Sequence, residues 1–222
     1  MNAYWSRRAM LVIALALVGV VAPGGRAVAG PPTEQLRTQI DRVIKTLEDP
    51  ELLKEHRAVE RRKAVRKIAE EIFDFAETAK RSLGRHWAAR TRAERDEFVK
   101  LFANLMERSY ISKIELYGGE KIGFSGDTVE GDIATVKSKM VTKGGSEVPI
   151  DYRMLKKGDR WLVYDVSIEG VSLVANYRTQ FNKIIQTSSY QELVKKLKIK
   201  QEEFLEGDRQ KRTSRAPGDA TL

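Results

Sequence analysis

Apolar residues in the first half of the chain recur at helical spacing. Leu36, Ile40, Val43, Ile44 and Leu47 form one stripe, which Thr33 is placed to cap and Pro50 to end. A second stripe between Val59 and Leu83 carries Val65, Ile68, Ala69, Ile72, Phe73, Ala76, Ala79 and Leu83, with room for one break, and Gly84 supplies its stop. A third helix opens on the capping box TRAE at 91–94, where Thr91 and Glu94 can satisfy each other's backbone donors. It turns Phe98, Leu101, Phe102, Leu105 and Met106 inward, and Gly118 and Gly119 close the region.

The period then drops to two. KIGFSGDTV, IATVKSKMVT, EVPIDYRML and RWLVYDVSI, separated by EGD, KGGS and KKGD, predict four antiparallel strands in meander order between residues 121 and 168. Pro149 marks its end of the third strand as an edge or a bulge. Beyond Gly170, Ser172 can cap a helix reaching about Thr187, and SYQE at 189–192 is a second capping box ahead of Leu193, Val194 and Leu197. From Glu206 the apolar periodicity stops and residues 206–222 read as a disordered tail. Helices segregated from an antiparallel sheet give an α+β class: one domain over 30–205, a curled four-stranded sheet packed with about five helices.

The fourth strand breaks the usual alternation. Leu162, Tyr164, Val166 and Ile168 share a period of two, yet Trp161 and Val163 make the other face apolar as well, and Val174, Tyr177 and Phe181 continue at helical spacing. Helices on both faces would account for this, since large apolar side chains are mostly buried by protein.

The N-terminus changes what the charge means. Arg7 and Arg8 precede a charge-free run from Ala9 to Ala22, then Pro23, Gly24, Gly25 and the small-residue triplet AVA at 27–29, the pattern of a secretory signal peptide cleaved after Ala29. The apolar run is short for a spanning helix, so cleavage is expected rather than membrane insertion. The paired arginines of SRRAML also fit twin-arginine export, but such pairs are common in ordinary leaders, so the general secretory route is the expected one and the twin-arginine route stays open. The chain carries a net +9; residues 1–29 hold three arginines and no acid, which leaves +6. An exported basic chain with no cysteine does not meet genomic DNA and cannot mispair thiols. The basic runs RRKAVRK at 61–67 and VKKLKIK at 194–200 lack interleaved aromatics, so they read as solvated faces or as steering toward acidic subunits or anionic headgroups, not as nucleic-acid sites.

Chemistry is sparse. His56 and His86 are thirty residues apart in basic surroundings; Asp127, Asp132, Asp151 and Asp165 have no converging spacing; Ser167 and Ser172 have no nearby histidine. No phosphate cradle or metal spacing is present, so neither enzyme activity nor a cofactor is expected.

WLVYDVSIEGVSLVANYRTQF, with TRAERDEFVKLFANLMERSYISKIELYGGEKI before it and SYQELVKKL after it, resembles the MlaC or toluene-tolerance family of periplasmic phospholipid carriers over about residues 33–204. The resemblance implies a periplasmic monomer holding phospholipid as cargo in a pocket between sheet and helices. It also implies partners: an outer-membrane lipoprotein–porin complex and an inner-membrane ABC transporter with its MCE subunit. A carrier of another lipid such as a hopanoid, or an envelope interaction module without cargo, stays open. On that resemblance the expected pocket residues are Phe102, Met106 and Tyr110; Met140, Ile150, Tyr152 and Met154; and Tyr164, Val166, Ile168, Leu173, Val174 and Tyr177. Each could equally be plain core.

Overall fold

The computed structural model describes residues 30–114 and 117–213; the expected leader and the last nine residues lie outside them. The chain starts with α1 (Pro31–Glu48), whose two prolines occupy first-turn positions where no backbone N–H is needed. Its cap is Gly30 and not Thr33. Thr33 is already inside the helix and turns its N–H and hydroxyl to the Asp127 carboxylate, at 2.9 and 2.6 Å. Pro50 opens the short α2 (Pro50–Leu53) as well as following the end of α1, because the Asp49 side chain accepts from the N–H groups of Glu51 and Leu52.

The second stripe is split into α3 (Ala58–Ile72) and α4 (Phe75–Leu83). The break has two causes. Asp74 caps α4 by accepting from the Glu77 N–H at 3.0 Å, while Phe73 becomes extended and bridges Val163 of the sheet, with the Asp74 N–H donating to the Val163 carbonyl at 2.9 Å. Gly84, at φ +58, stops α4 as its position suggested. The TRAE box forms in both directions and opens α5 (Arg92–Ile114).

The sheet runs β1 (Lys121–Glu130), β2 (Ile133–Val141), β3 (Glu147–Lys157), β4 (Arg160–Ile168) and a two-residue β5 (Val171–Ser172), antiparallel and in sequence order. The fifth strand exists because Glu169 and Gly170, both at positive φ, fold the chain tightly back on β4. Pro149 is not on an edge. It faces Lys139 in a central strand, and since its carbonyl accepts from the Glu169 N–H, the N–H it lacks would have pointed past the end of β4. Two bulges interrupt the ladders, one between Phe124 and Gly126 and one that leaves Tyr164 without a partner between Val163 and Asp165. The second reverses the alternation of β4, so Trp161 and Val163 share a face with Val166 and Ile168, and Tyr164 does not.

After β5 come α6 (Leu173–Thr187) and α7 (Tyr190–Thr213). Helical structure thus continues past Glu206, where the apolar pattern ends; lysine, arginine and glutamine are all good helix formers. Two cores result. One lies between the sheet's inner face and α1, α3 and Leu173; the other lies among α4, α5, α6 and α7 around Phe98, Phe102, Phe181 and Tyr190, and Met106 packs against both. No helix among the described residues is long and apolar enough to cross a membrane.

Asp165 joins the two halves. It is 4% exposed, accepts from the Val174 N–H at 3.0 Å and the Ser172 hydroxyl at 2.6 Å, and Ser172 in turn caps α6 by accepting from the Ala175 N–H. Hydrogen bonds to a charged acceptor contribute about 1.5–3 kcal/mol each. Asp165→Ala should therefore lower the unfolding free energy by about 3 kcal/mol in urea titration, whereas Asp151→Ala, on a less buried position of β3, should change it by less than about 1 kcal/mol.

Candidate functional site

Strand register arranges the inner face of the sheet in rows. In order they are Ala134–Met154–Val163, Val136–Tyr152–Val166, Phe124–Ser138–Ile150–Ile168 and Met140–Val148. Burial falls along them. Val136 and Val163 are 0% exposed and Met154 1%; Ile150, Tyr152 and Val166 are each 9% exposed; Phe124, Ile168, Met140 and Val148 are half-buried. The first end is closed by what is tied there: the start of α1 holds Asp127 through Thr33, the Gln35 side-chain amide bonds both backbone groups of Trp161 at 2.6 and 2.9 Å, and the end of α3 bridges Val163. Ile40 and Val43 of α1 and Met106 and Tyr110 of α5 complete the core only half-buried.

The residues expected from the sequence divide accordingly. Ile150, Tyr152, Met154, Val166 and Leu173 meet in this core, with Met106, Tyr110, Met140 and Ile168 packed against it. Phe102 and Tyr177 belong to the helical core, ring centroids 5.0 Å apart, and Met106 connects them to the sheet. Tyr164 lies apart because of the bulge: the Arg81 guanidinium stacks 4.0 Å over its ring and its carbonyl accepts from the Thr78 hydroxyl. Val174 is buried, with its N–H on Asp165. Phe124, Val148, Ile40, Val43 and Ser138 also face this core. Ala134, Val136, Ser138 and Met140 alternate in the sequence, so Ser138 was legible there as an inward small polar residue.

Apart from one carboxylate, the polar groups named on this surface are hydroxyls. Ser138 donates to the Ile150 carbonyl at 2.9 Å, and burial pushes the Tyr152 phenol up to about 12, against the lowering influence of the Ser138 hydroxyl. Burial, then the neighbouring Tyr177 hydroxyl and a hydrogen bond to it, also raise the Tyr110 phenol. Tyr177 is raised by burial, which outweighs hydrogen bonds with Tyr110 and Ser109. The carboxylate on the inner face, Asp127, is engaged by Gly30 and Thr33. With that carboxylate tied to the start of α1, the rest of the surface is apolar with a few hydroxyls and fits an apolar chain. His86 is elsewhere, with Nε2 3.0 Å from Asn182 Oδ1.

Two open clefts are found on the helical side. One runs between α5 and α7 past Glu97, Val194, Lys198 and Ile199, the other past Leu83, His86, Arg178 and Asn182. Neither is lined by a sheet residue, and the inner-face side chains are packed against one another.

The chain matches the MlaC protein family model over residues 37–199. A curated relative, the intermembrane phospholipid transport system binding protein MlaC of Haemophilus influenzae, is 23% identical over 120 residues. That alignment covers 52% of this chain and 56% of the relative, little more than half its length. A solved structure of a phospholipid-binding protein from Ralstonia solanacearum, in complex with a phospholipid, superposes with a TM-score of 0.68 at 24% identity, covering 78% of this chain and 98% of that one. This likeness establishes the α+β fold with its curled antiparallel sheet. With its family match running from α1 through all the strands into α7, the chain belongs to the MlaC family.

Proposed function

We propose that this protein is a periplasmic phospholipid carrier, not an enzyme, and that acyl chains enter between the half-buried end of the sheet's inner face and α1 and α5. The observation that carries the reading is the burial gradient along the rows: tight at Val136 and Val163, loose at Met140, Val148 and Ile168. Membership of the family supports it, as does the phospholipid held by the Ralstonia relative. Cargo would part the loose side chains, contacting Ile150, Tyr152, Val166 and Ile168 from the sheet and Met106, Tyr110 and Leu173 from the helices.

The energetic case for a carrier is simple. Each methylene exposed to water costs about 0.8 kcal/mol, so a diacyl lipid with about thirty of them faces a gross barrier on the order of 20 kcal/mol to crossing unaided. The protein needs to lower that barrier without outcompeting the bilayer, so that unloading remains possible. In this reading it takes lipid between an outer-membrane lipoprotein–porin complex and an inner-membrane ABC transporter with its MCE subunit, as a monomer with exposed basic side chains to steer it.

Organic extraction of the protein purified from an envelope fraction should release glycerophospholipid in a fixed molar ratio. Recovery of a triterpenoid lipid would change the cargo class, and protein that is folded, lipid-free and unable to take lipid from vesicles would contradict the carrier reading.

Substitutions should separate the loose end from the tight one. Val166→Glu and Ile168→Glu place a carboxylate where water can reach it through the half-buried end, so thermal unfolding should remain cooperative while co-purified lipid falls at least about fivefold. Val136→Glu buries the same charge at a position with no exposure and should prevent folding. Retention of lipid by both of the first two variants would place the cargo elsewhere.

A further inference from the structure

The junction between α1 and β1 is built around one carboxylate. The bulge between Phe124 and Gly126, where Gly126 adopts φ +112, shifts the alternation of β1 and puts Asp127 opposite Val136 on the inner face. There its Oδ2 accepts from the Gly30 N–H at 3.1 Å, the Thr33 N–H at 2.9 Å and the Thr33 hydroxyl at 2.6 Å. Thr33 is fully buried. A Cβ at position 30 would stand 2.5 Å from Asp127 Oδ1 and 2.9 Å from Oδ2, so only glycine lets the carboxylate approach this closely without giving up its bonds to Thr33.

Gly30 is also the residue that follows AVA at 27–29. We propose that leader removal makes Gly30 the first residue of the mature chain, and that its new α-ammonium group is held by Asp127 as an ion pair that fastens α1 to the sheet. The inference rests on the export reading, not on the lipid reading. The step is a hydrolysis by a leader-cleaving peptidase: water adds across the Ala29–Gly30 amide, hydroxyl to the Ala29 carbonyl carbon and hydrogen to the Gly30 nitrogen, which takes one further proton from solution. The nitrogen that donated one amide hydrogen then carries three and a positive charge, and Oδ2 of Asp127 is already 3.1 Å from it. A positive charge at a helix N-terminus is opposed by the helix dipole, so the carboxylate is needed to hold it there. Pairing with a part-buried carboxylate is stronger than the neutral bond it replaces. Cleavage therefore tightens the fold, and the uncleaved precursor lacks this fastening.

The ammonium gains a partner on folding, so its folded pKa rises above the unfolded value of about 8; the added stability is present below that pH and is lost as pH rises through the folded value. The charged group bonded to this nitrogen is Asp127 of β1; the next charged side chains along α1, Glu34 and Arg37, are half-exposed and paired with each other at 3.8 Å, and Arg37 also lies over the Phe124 ring. Lys137, beside Gly126 on β2, is exposed on the opposite face.

The test is a double-mutant cycle on the exported protein. Urea unfolding at pH 6.5 is compared for the chain beginning at Gly30 and the same chain keeping residues 27–29, each with Asp127 and with Asp127→Asn. The extension should reduce the folding equilibrium constant about tenfold in the Asp127 background and less than about twofold in the Asp127→Asn background, with the difference fading above about pH 9. An equal effect in both backgrounds, or no effect with Asp127 present, overturns the ion pair. Intact mass of protein from an envelope fraction should place its start at Gly30; any other start overturns the maturation step. Neither measurement depends on cargo.

Discussion

β4 supports two cores and an exposed-side ladder at once, and the unpaired Tyr164 is what lets it do so. A regular strand offers one face to each side along its whole length. With the bulge, Trp161 and Val163 point with Val166 and Ile168 into the sheet core, Tyr164 turns to α4, and Asp165 reaches the start of α6. The edge of β4 is occupied along the same stretch by the Gln35 amide, the Phe73–Asp74 backbone, the Thr78 hydroxyl and β5. α3, α4 and α6 meet the sheet through that one strand, and α1 is bonded to it as well as to β1. Backbone groups left open there would each need a solvent partner inside a packed interface.

The same arrangement explains why one end of the inner face is tight and the other loose. Fixed points crowd the first rows: Thr33 on Asp127, Gln35 on Trp161, Phe73 on Val163. Toward Met140 and Val148 the strands run on toward the β2–β3 turn, and the side chains there are half-buried. Close packing leaves no room for a ligand unless some wall can move, and walls move where few bonds hold them. Under the carrier reading, stability and capacity are thus placed at opposite ends of one surface, and the fold can open for cargo without loosening its anchor.

Much of this was legible in the chain. The four long strands, the Thr91–Glu94 box, Ser172 as the cap of α6 and Gly84 as a stop all follow from local spacing, because the interactions that set them are local. What escaped depends on distant partners. Thr33 looks like a cap until Asp127, ninety-four positions away, claims its hydroxyl. The stripe through Phe73 looks continuous until Val163 draws it into the sheet. Tyr164 falls with Val166 and Ile168 on a period of two, which assumes an unbroken register, and nothing in the string RWLVYDVSI marks the residue that will have no partner opposite it. Pro149 signals an edge or a bulge, yet it sits at neither, because its missing donor falls beyond the end of the neighbouring strand.

The bulge in β1 has a further consequence, for association between molecules. Among the described residues no strand pairs with the outer side of β1, so the backbone groups of alternate residues along this ten-residue strand face outward. A flat edge of that length is a template on which a second chain can grow a sheet. Ser125 and Gly126 kink it near its middle, and Lys121 and Glu130 place a charge at each end. A foreign strand can register with only a few residues before the geometry diverges. The irregularity that aims Asp127 inward thus also makes this edge a poorer template for a second chain than an unbroken strand of the same length.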